Sequence, residues 1–195
     1  PRGYTGVKPF LRSHTNPEYP AFDLNITDQR RADIWIADFK GFVATGVMPQ
    51  LQILRLPNDH TSGARADAPS PKAQVADNDL ALGRIVEAVS RSPFWKNTVI
   101  FVVEDDAQNG ADHVDAHRST AYVAGGFVKR GFVDHTPYTT SSMLRTMELI
   151  LGSPLQGSTW ENGARIATVA AITAPGGTGH FAFDVAAPAP GTYTL

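Results

Sequence analysis

Thr98-Val99-Ile100-Phe101-Val102-Val103-Glu104-Asp105-Asp106 is the stretch from which the fold is read. Its first six residues are mostly β-branched and apolar on both alternating faces. That is the pattern of a central strand of a parallel sheet, covered on both sides. Acidic residues follow at once, at the end of the strand where open α/β sheets collect their ligands.

Upstream, the helical spacing from Ala73 to Ser90 predicts a helix with Leu80, Leu82, Ile85, Val86 and Val89 as its inner stripe, ended by Pro93. A polar loop precedes it, and before that Leu51-Gln52-Ile53-Leu54-Arg55-Leu56 reads as a short apolar strand turning at Pro57-Asn58-Asp59-His60-Thr61-Ser62-Gly63. Thr27-Asp28 offers a helix N-cap with a carboxylate in the first turn. Ala32, Trp35, Ile36, Phe39, Phe42 and Val43 then recur at helical spacing up to a stop at Gly46. Residues 1–26 read as an irregular lead-in. Downstream, residues 120–124 predict another strand, and residues 140–151 a helix ending at Gly152.

This order predicts an α/β fold with a mostly parallel sheet and helices on both faces, over residues 1–155. Residues 156–195 change character: Gly, Pro, Thr and short alternating runs such as His180-Phe181-Ala182-Phe183 predict a β-rich extension or tail.

Composition narrows the function. The chain of 195 residues is 42% hydrophobic, enough for a sizeable core. A formal net charge of -2 argues against a general nucleic-acid or anionic-membrane binder, since phosphate backbones are held by clustered Lys and Arg. The apolar runs are strand length, so no membrane span is expected. There is no cysteine, so any metal must sit on His, Asp, Glu or Asn. The sequence starts at Pro1 with no start Met or signal peptide, which suggests a processed product or a fragment.

Metal-ligating residue types follow the predicted strands. Asn58, Asp59 and His60 come after the first. Glu104, Asp105 and Asp106 come after the second, with Asp112, His113, Asp115 and His117 behind them. So many carboxylates together are electrostatically costly unless cations neutralise them. Bland readings stand beside this one. Asp59 and Asp112 also suit turn or cap positions, Glu104 suits solvent or an arginine partner, and His14, His135 and His180 suit ordinary structural roles. Carboxylate and imidazole together suit Zn, Mn or Fe, whereas a site dominated by Asp105 and Asp106 leans toward Mg, Ca or Mn.

The segment Val-Val-Glu-Asp-Asp-Ala-Gln-Asn-Gly-Ala-Asp-His-Val-Asp-Ala-His-Arg (102–118), with Val-Asp-His-Thr (133–136), Leu-Pro-Asn-Asp-His-Thr (56–61) and Ala-Asp-Asn-Asp-Leu-Ala-Leu-Gly (76–83), resembles bacterial phosphoesterases of the alkaline phosphatase superfamily. The nearest likeness is to the phospholipase C and acid phosphatase branch, over about residues 18–155. The resemblance implies metal-dependent hydrolysis of a phosphomonoester or phosphodiester, in a periplasmic or extracellular setting, on a small phosphoester substrate. It implies Asp105 and Asp106 as ligands of one metal, His117 as a ligand of another, and His60 with Asp59 as a further pair, where Asn58 competes with Asp59. His113 is implied as a ligand or phosphate contact, with Asp112 and His135 in support.

The superfamily's Ser or Thr nucleophile and first metal-binding acid lie upstream of the matching segment. The resemblance therefore covers the carboxyl-terminal half of such a domain, with a missing amino-terminal half as a possible partner. The alternative expectation is a non-catalytic binding or assembly protein that keeps a truncated phosphoesterase fold.

Overall fold

The computed structural model describes residues 9–105, 119–151, 160–161 and 164–165. The chain divides into two compact units, one ending at Phe94 and the other starting at Trp95.

The first unit is built on two helices. After a single helical turn, α1 (Pro9–Arg12), the long helix α2 spans Asp28–Thr45. Thr27 caps it, its hydroxyl accepting from Arg30 N at 3.2 Å, and satisfies a donor that the helix start would otherwise leave orphaned. Gly46 ends it at φ 71°, a left-handed conformation that costs glycine little, and donates its N–H to Phe42 O. The third helix, α3, spans Pro71–Ser90, with Ser70 as its N-cap and Pro71 in the first turn, where the absent N–H is no loss.

The two long helices pack on each other. The apolar core is Ala32, Ile34, Trp35 and Phe39 from α2 and Ala81, Ile85 and Val89 from α3. Trp35 stacks on Phe39 at 4.9 Å between centroids, and Phe39 meets the edge of Phe94 at 6.0 Å. The buried face of α3 is Gln74, Ala81, Ile85 and Val89, which keeps Ile85 and Val89 of the expected stripe, with Leu82 and Val86 half-buried. Leu80 is 58% exposed, because a step of one residue rotates a side chain by about 100° away from neighbouring Ala81.

Residues 51–56 differ from expectation. Their exposure alternates as in a strand, with Ile53 88% exposed, yet they form no strand pairing among the described residues. Side chains take their carbonyls instead: Tyr19 Oη donates to Arg55 O at 2.9 Å, and Asn78 Nδ2 to Leu56 O at 2.8 Å.

In the second unit, β1 (Val99–Val103) pairs with β2 (Ala121–Gly125) antiparallel, from Val99 opposite Gly125 to Val103 opposite Ala121. The strand that reads as a central parallel one is therefore half-buried and hairpin-like here. Glycine is required where the pair closes on itself: a Cβ on Gly125 would fall 2.5 Å from Thr98 O, and one on Gly126 2.9 Å from Trp95 O. Helix α4 (Thr140–Ile150) starts with a reciprocal cap between Thr139 and Ser142 and buries Ser142, Met143, Thr146 and Glu148. In the region expected to be β-rich, β3 (Trp160–Glu161) pairs antiparallel with β4 (Ala164–Arg165). The expected hairpins over residues 167–195 lie outside the described residues.

Candidate functional site

In the first unit the candidate residues stand on a single 3-10 turn, Pro57–His60. Pro57 sets its start and Thr61 N donates back to Asn58 O at 3.1 Å. Its three polar side chains are graded in depth: Asn58 is buried, Asp59 half-buried and His60 exposed. His60 Nδ1 lies 2.9 Å from Thr61 O. A carbonyl can only accept, so in the neutral ring Nδ1 carries the proton and the lone pair falls on Nε2. That tautomer suits metal ligation through Nε2. The ring also meets Phe22 edge-on at 5.4 Å, and the Arg55 guanidinium lies over the same Phe22 at 4.9 Å.

Immediately after His60 the backbone is strained. Thr61 has φ 58° and ψ 163°, a region that β-branched residues avoid, at a cost of about 1–3 kcal/mol. Such strain persists only where surrounding contacts over-determine it. Here they do. Ser62 N donates to Gln74 Oε1 at 2.7 Å and Gln74 Nε2 to Ser62 Oγ at 3.2 Å, with Gln74 itself buried on α3.

On the other side of the turn lies a buried polar cluster that sequence reasoning missed. Asp28, fully buried, accepts at Oδ2 from Asn58 N at 2.9 Å and from Asn78 Nδ2 at 3.0 Å. Its Oδ1 takes Arg31 Nη1 at 3.2 Å. Asp77 Oδ2 accepts from Asp28 N at 2.6 Å and from Asn58 Nδ2 at 2.7 Å. Arg31, also buried, donates further to Ile26, Ala21 and Asp23 carbonyls. Burial pushes the Asp28 carboxyl above its ordinary value, opposed by the hydrogen bonds from Asn58 and Asn78 and by Arg31. Asn58 Oδ1 is buried with no hydrogen-bond partner among the described residues. A signal for the cluster existed: Gln74, Asp77 and Asn78 fall at helical spacing on the same face as Ala81 and Ile85.

In the second unit, Asp105 lies two residues past the end of β1 and is exposed. Glu104 has a structural task, because its N–H donates to Thr120 O at 3.0 Å and its Oε2 accepts from Thr120 N at 3.3 Å. This clasp extends the β1–β2 ladder and joins the two ends of the segment that carries Asp105, Asp106, Asp112, His113 and His117. The last four of those lie outside the described residues.

His135 is exposed beside Asp134, which accepts from Thr136 N at 2.9 Å and Tyr138 Oη at 2.8 Å. Partial burial raises the Asp134 carboxyl, but these hydrogen bonds outweigh it and hold the group below its ordinary value. Among the described residues, no cluster of three or more His, Asp or Glu is assembled into a metal cage. Asp59 and His60 share the turn, while Asp105 belongs to the other unit. No described helix is long and apolar enough to cross a membrane.

Comparison with known proteins gives one family, described as the Phosphoesterase family, which matches residues 4–154. No curated protein and no solved structure matches the chain.

Proposed function

Since the chain belongs to the phosphoesterase family, whose chemistry is phosphate-ester hydrolysis, we propose that it supplies metal ligands for that reaction. The ligands in this reading are Asp59, His60, Asp105, Asp106 and His117. His113 is a further ligand or phosphate contact, and Asp112 and His135 are supports. The observation that carries it is the turn at Pro57–His60, strained at Thr61, clamped by buried polar groups, with the His60 ring held at Nδ1 against Thr61 O. Asn58 is engaged by Asp28 and Asp77, which favours Asp59 as the carboxylate partner of His60.

The donor types fit a divalent ion among Zn, Mn, Mg, Ca and Fe. Such an ion would polarise a phosphoryl oxygen and neutralise charge that develops in the transition state. The chain's own residues contribute orientation: the Thr61 carbonyl holds the His60 ring, and Glu104 closes the base of the segment bearing Asp105 and Asp106.

The wider reading places the chain in the phospholipase C and acid phosphatase branch of the alkaline phosphatase superfamily. It would be the carboxyl-terminal half of a mostly parallel α/β domain over residues 1–155, with a β-rich extension over residues 156–195, acting in a periplasmic or extracellular setting. Metal content and turnover of a chromogenic phosphoester, measured before and after chelation, test the core of it. Activity should vanish with chelator and return with a divalent ion, and His60→Ala should lower it by about 100-fold. Turnover indifferent to chelator would remove the metal from the mechanism.

A further inference from the structure

We infer that Asp28 and Asp77 are positioning residues, which lock the Pro57–His60 turn through hydrogen bonds and so fix the presentation of Asp59 and His60. The inference rests on the metal-ligand reading of those two side chains for its functional meaning, but its structural content stands separately.

Three observations converge. The first is surplus. Thr27 already caps α2, so helix initiation does not require Asp28 to be fully buried, and burying a carboxylate is costly. The second is convergence. Asp28 Oδ2 grips the main chain of Asn58, Asp77 Oδ2 grips its side chain, and Asp28 N is itself bound to Asp77. Asn78 spans from Asp28 to Leu56 O, so the chain is held on both sides of Pro57. The third is strain: the turn runs directly into Thr61 at φ 58°, a conformation that relaxes unless both flanks are held. Gln74 holds the flank after it. The two carboxylates hold the flank before it.

The two differ in a way that experiment can use. Both oxygens of Asp28 accept hydrogen bonds, from Arg31 on one side and from Asn58 and Asn78 on the other. An asparagine there must turn its amide against a donor, whichever way it is flipped. Asp77 accepts both of its hydrogen bonds on Oδ2, so an asparagine can keep them with its single oxygen.

The test uses the full chain with Asp28→Asn, Asp77→Ala, Asp77→Asn and, as control, Asp33→Ala, which removes the half-exposed partner of Arg84. Folding is checked by circular dichroism. Amide exchange over residues 57–61 and calorimetric affinity for Mn²⁺ are then measured. Asp28→Asn and Asp77→Ala should each speed exchange in the turn and weaken Mn²⁺ about tenfold. Asp77→Asn and Asp33→Ala should stay within about twofold of the parent.

If Asp77→Asn falls as far as Asp77→Ala, charge rather than hydrogen bonding is at work and positioning is overturned. Unchanged turn exchange in folded Asp28→Asn overturns it as well. His60→Ala tells the two readings apart: Mn²⁺ affinity unaltered by that change rejects the ligand assignment, while the exchange measurement still decides the locking.

Discussion

Replacing Asp28 by alanine should cost the first unit about 3 kcal/mol of stability. The change strands three groups inside the protein: the Asn58 N–H, one Asn78 amide hydrogen bond and one contact of the Arg31 guanidinium. A buried donor left unsatisfied costs about 1–3 kcal/mol, and breaking a buried ion pair by removing one partner costs about 3–5 kcal/mol. Two features bring the sum down. Arg31 keeps carbonyl partners at Ile26, Ala21 and Asp23, and Asn78 keeps Leu56 O. Removing a carboxylate whose pKa is raised by burial also returns part of its desolvation cost. The low end of the range is therefore expected. Urea unfolding followed by tryptophan fluorescence measures it through Trp35, and the midpoint should fall with little change in slope. A loss below about 1 kcal/mol, the size of an ordinary helix cap, would refute the view that this carboxylate organises buried donors.

Tyr19 should ionise late: burial pushes its phenol up to about 12, only partly offset by Arg31. Because the folded pKa exceeds the unfolded one, near 10, its contribution of about 2–3 kcal/mol is intact below pH 10 and is lost as pH rises toward 12. Ultraviolet difference titration should show a late phenol ionisation near pH 12 that is missing in Tyr19→Phe. Gly125→Ala should destabilise the β1–β2 pair by about 1–3 kcal/mol, since the new methyl meets the Thr98 carbonyl carbon and oxygen rather than a movable side chain. Amide exchange at Val99–Val103 reads this out, and protection equal to the parent would contradict the close approach.

Elements delimited by local chemistry were legible in the sequence. Thr27 and Gly46 bound α2 as cap residues do, the helical spacing from Ala73 to Ser90 falls within α3, and the apolar run before Glu104 is a strand. Features that depend on partners distant in sequence were not. Residues 51–56 carry the alternation of a strand, but alternation supplies no ladder, and the carbonyls at Arg55 and Leu56 went to Tyr19 and Asn78. On α3 the stripe held at Ile85 and Val89 but not at Leu80, and it left out Gln74 and Asn78, which, though polar, bind Ser62, Asp28 and Leu56. Among the candidate ligands, the turn position of Asp59 and His60 could be read from Pro57. The asparagine beside them proved to be an anchor, a role created by Asp77 from nineteen positions away.

The Glu104–Thr120 clasp has a thermodynamic side. Bringing the ends of a segment such as 105–119 together costs roughly 2 kcal/mol of chain entropy, growing only with the logarithm of its length. The β1–β2 hairpin meets that cost through its own ladder, before any ligand arrives. If the proposed ligands on that segment bind an ion, its tethering would let them act at a high effective concentration, as linked binding groups do. Lengthening the segment should erode that advantage slowly, whereas unfastening its base should remove it in one step.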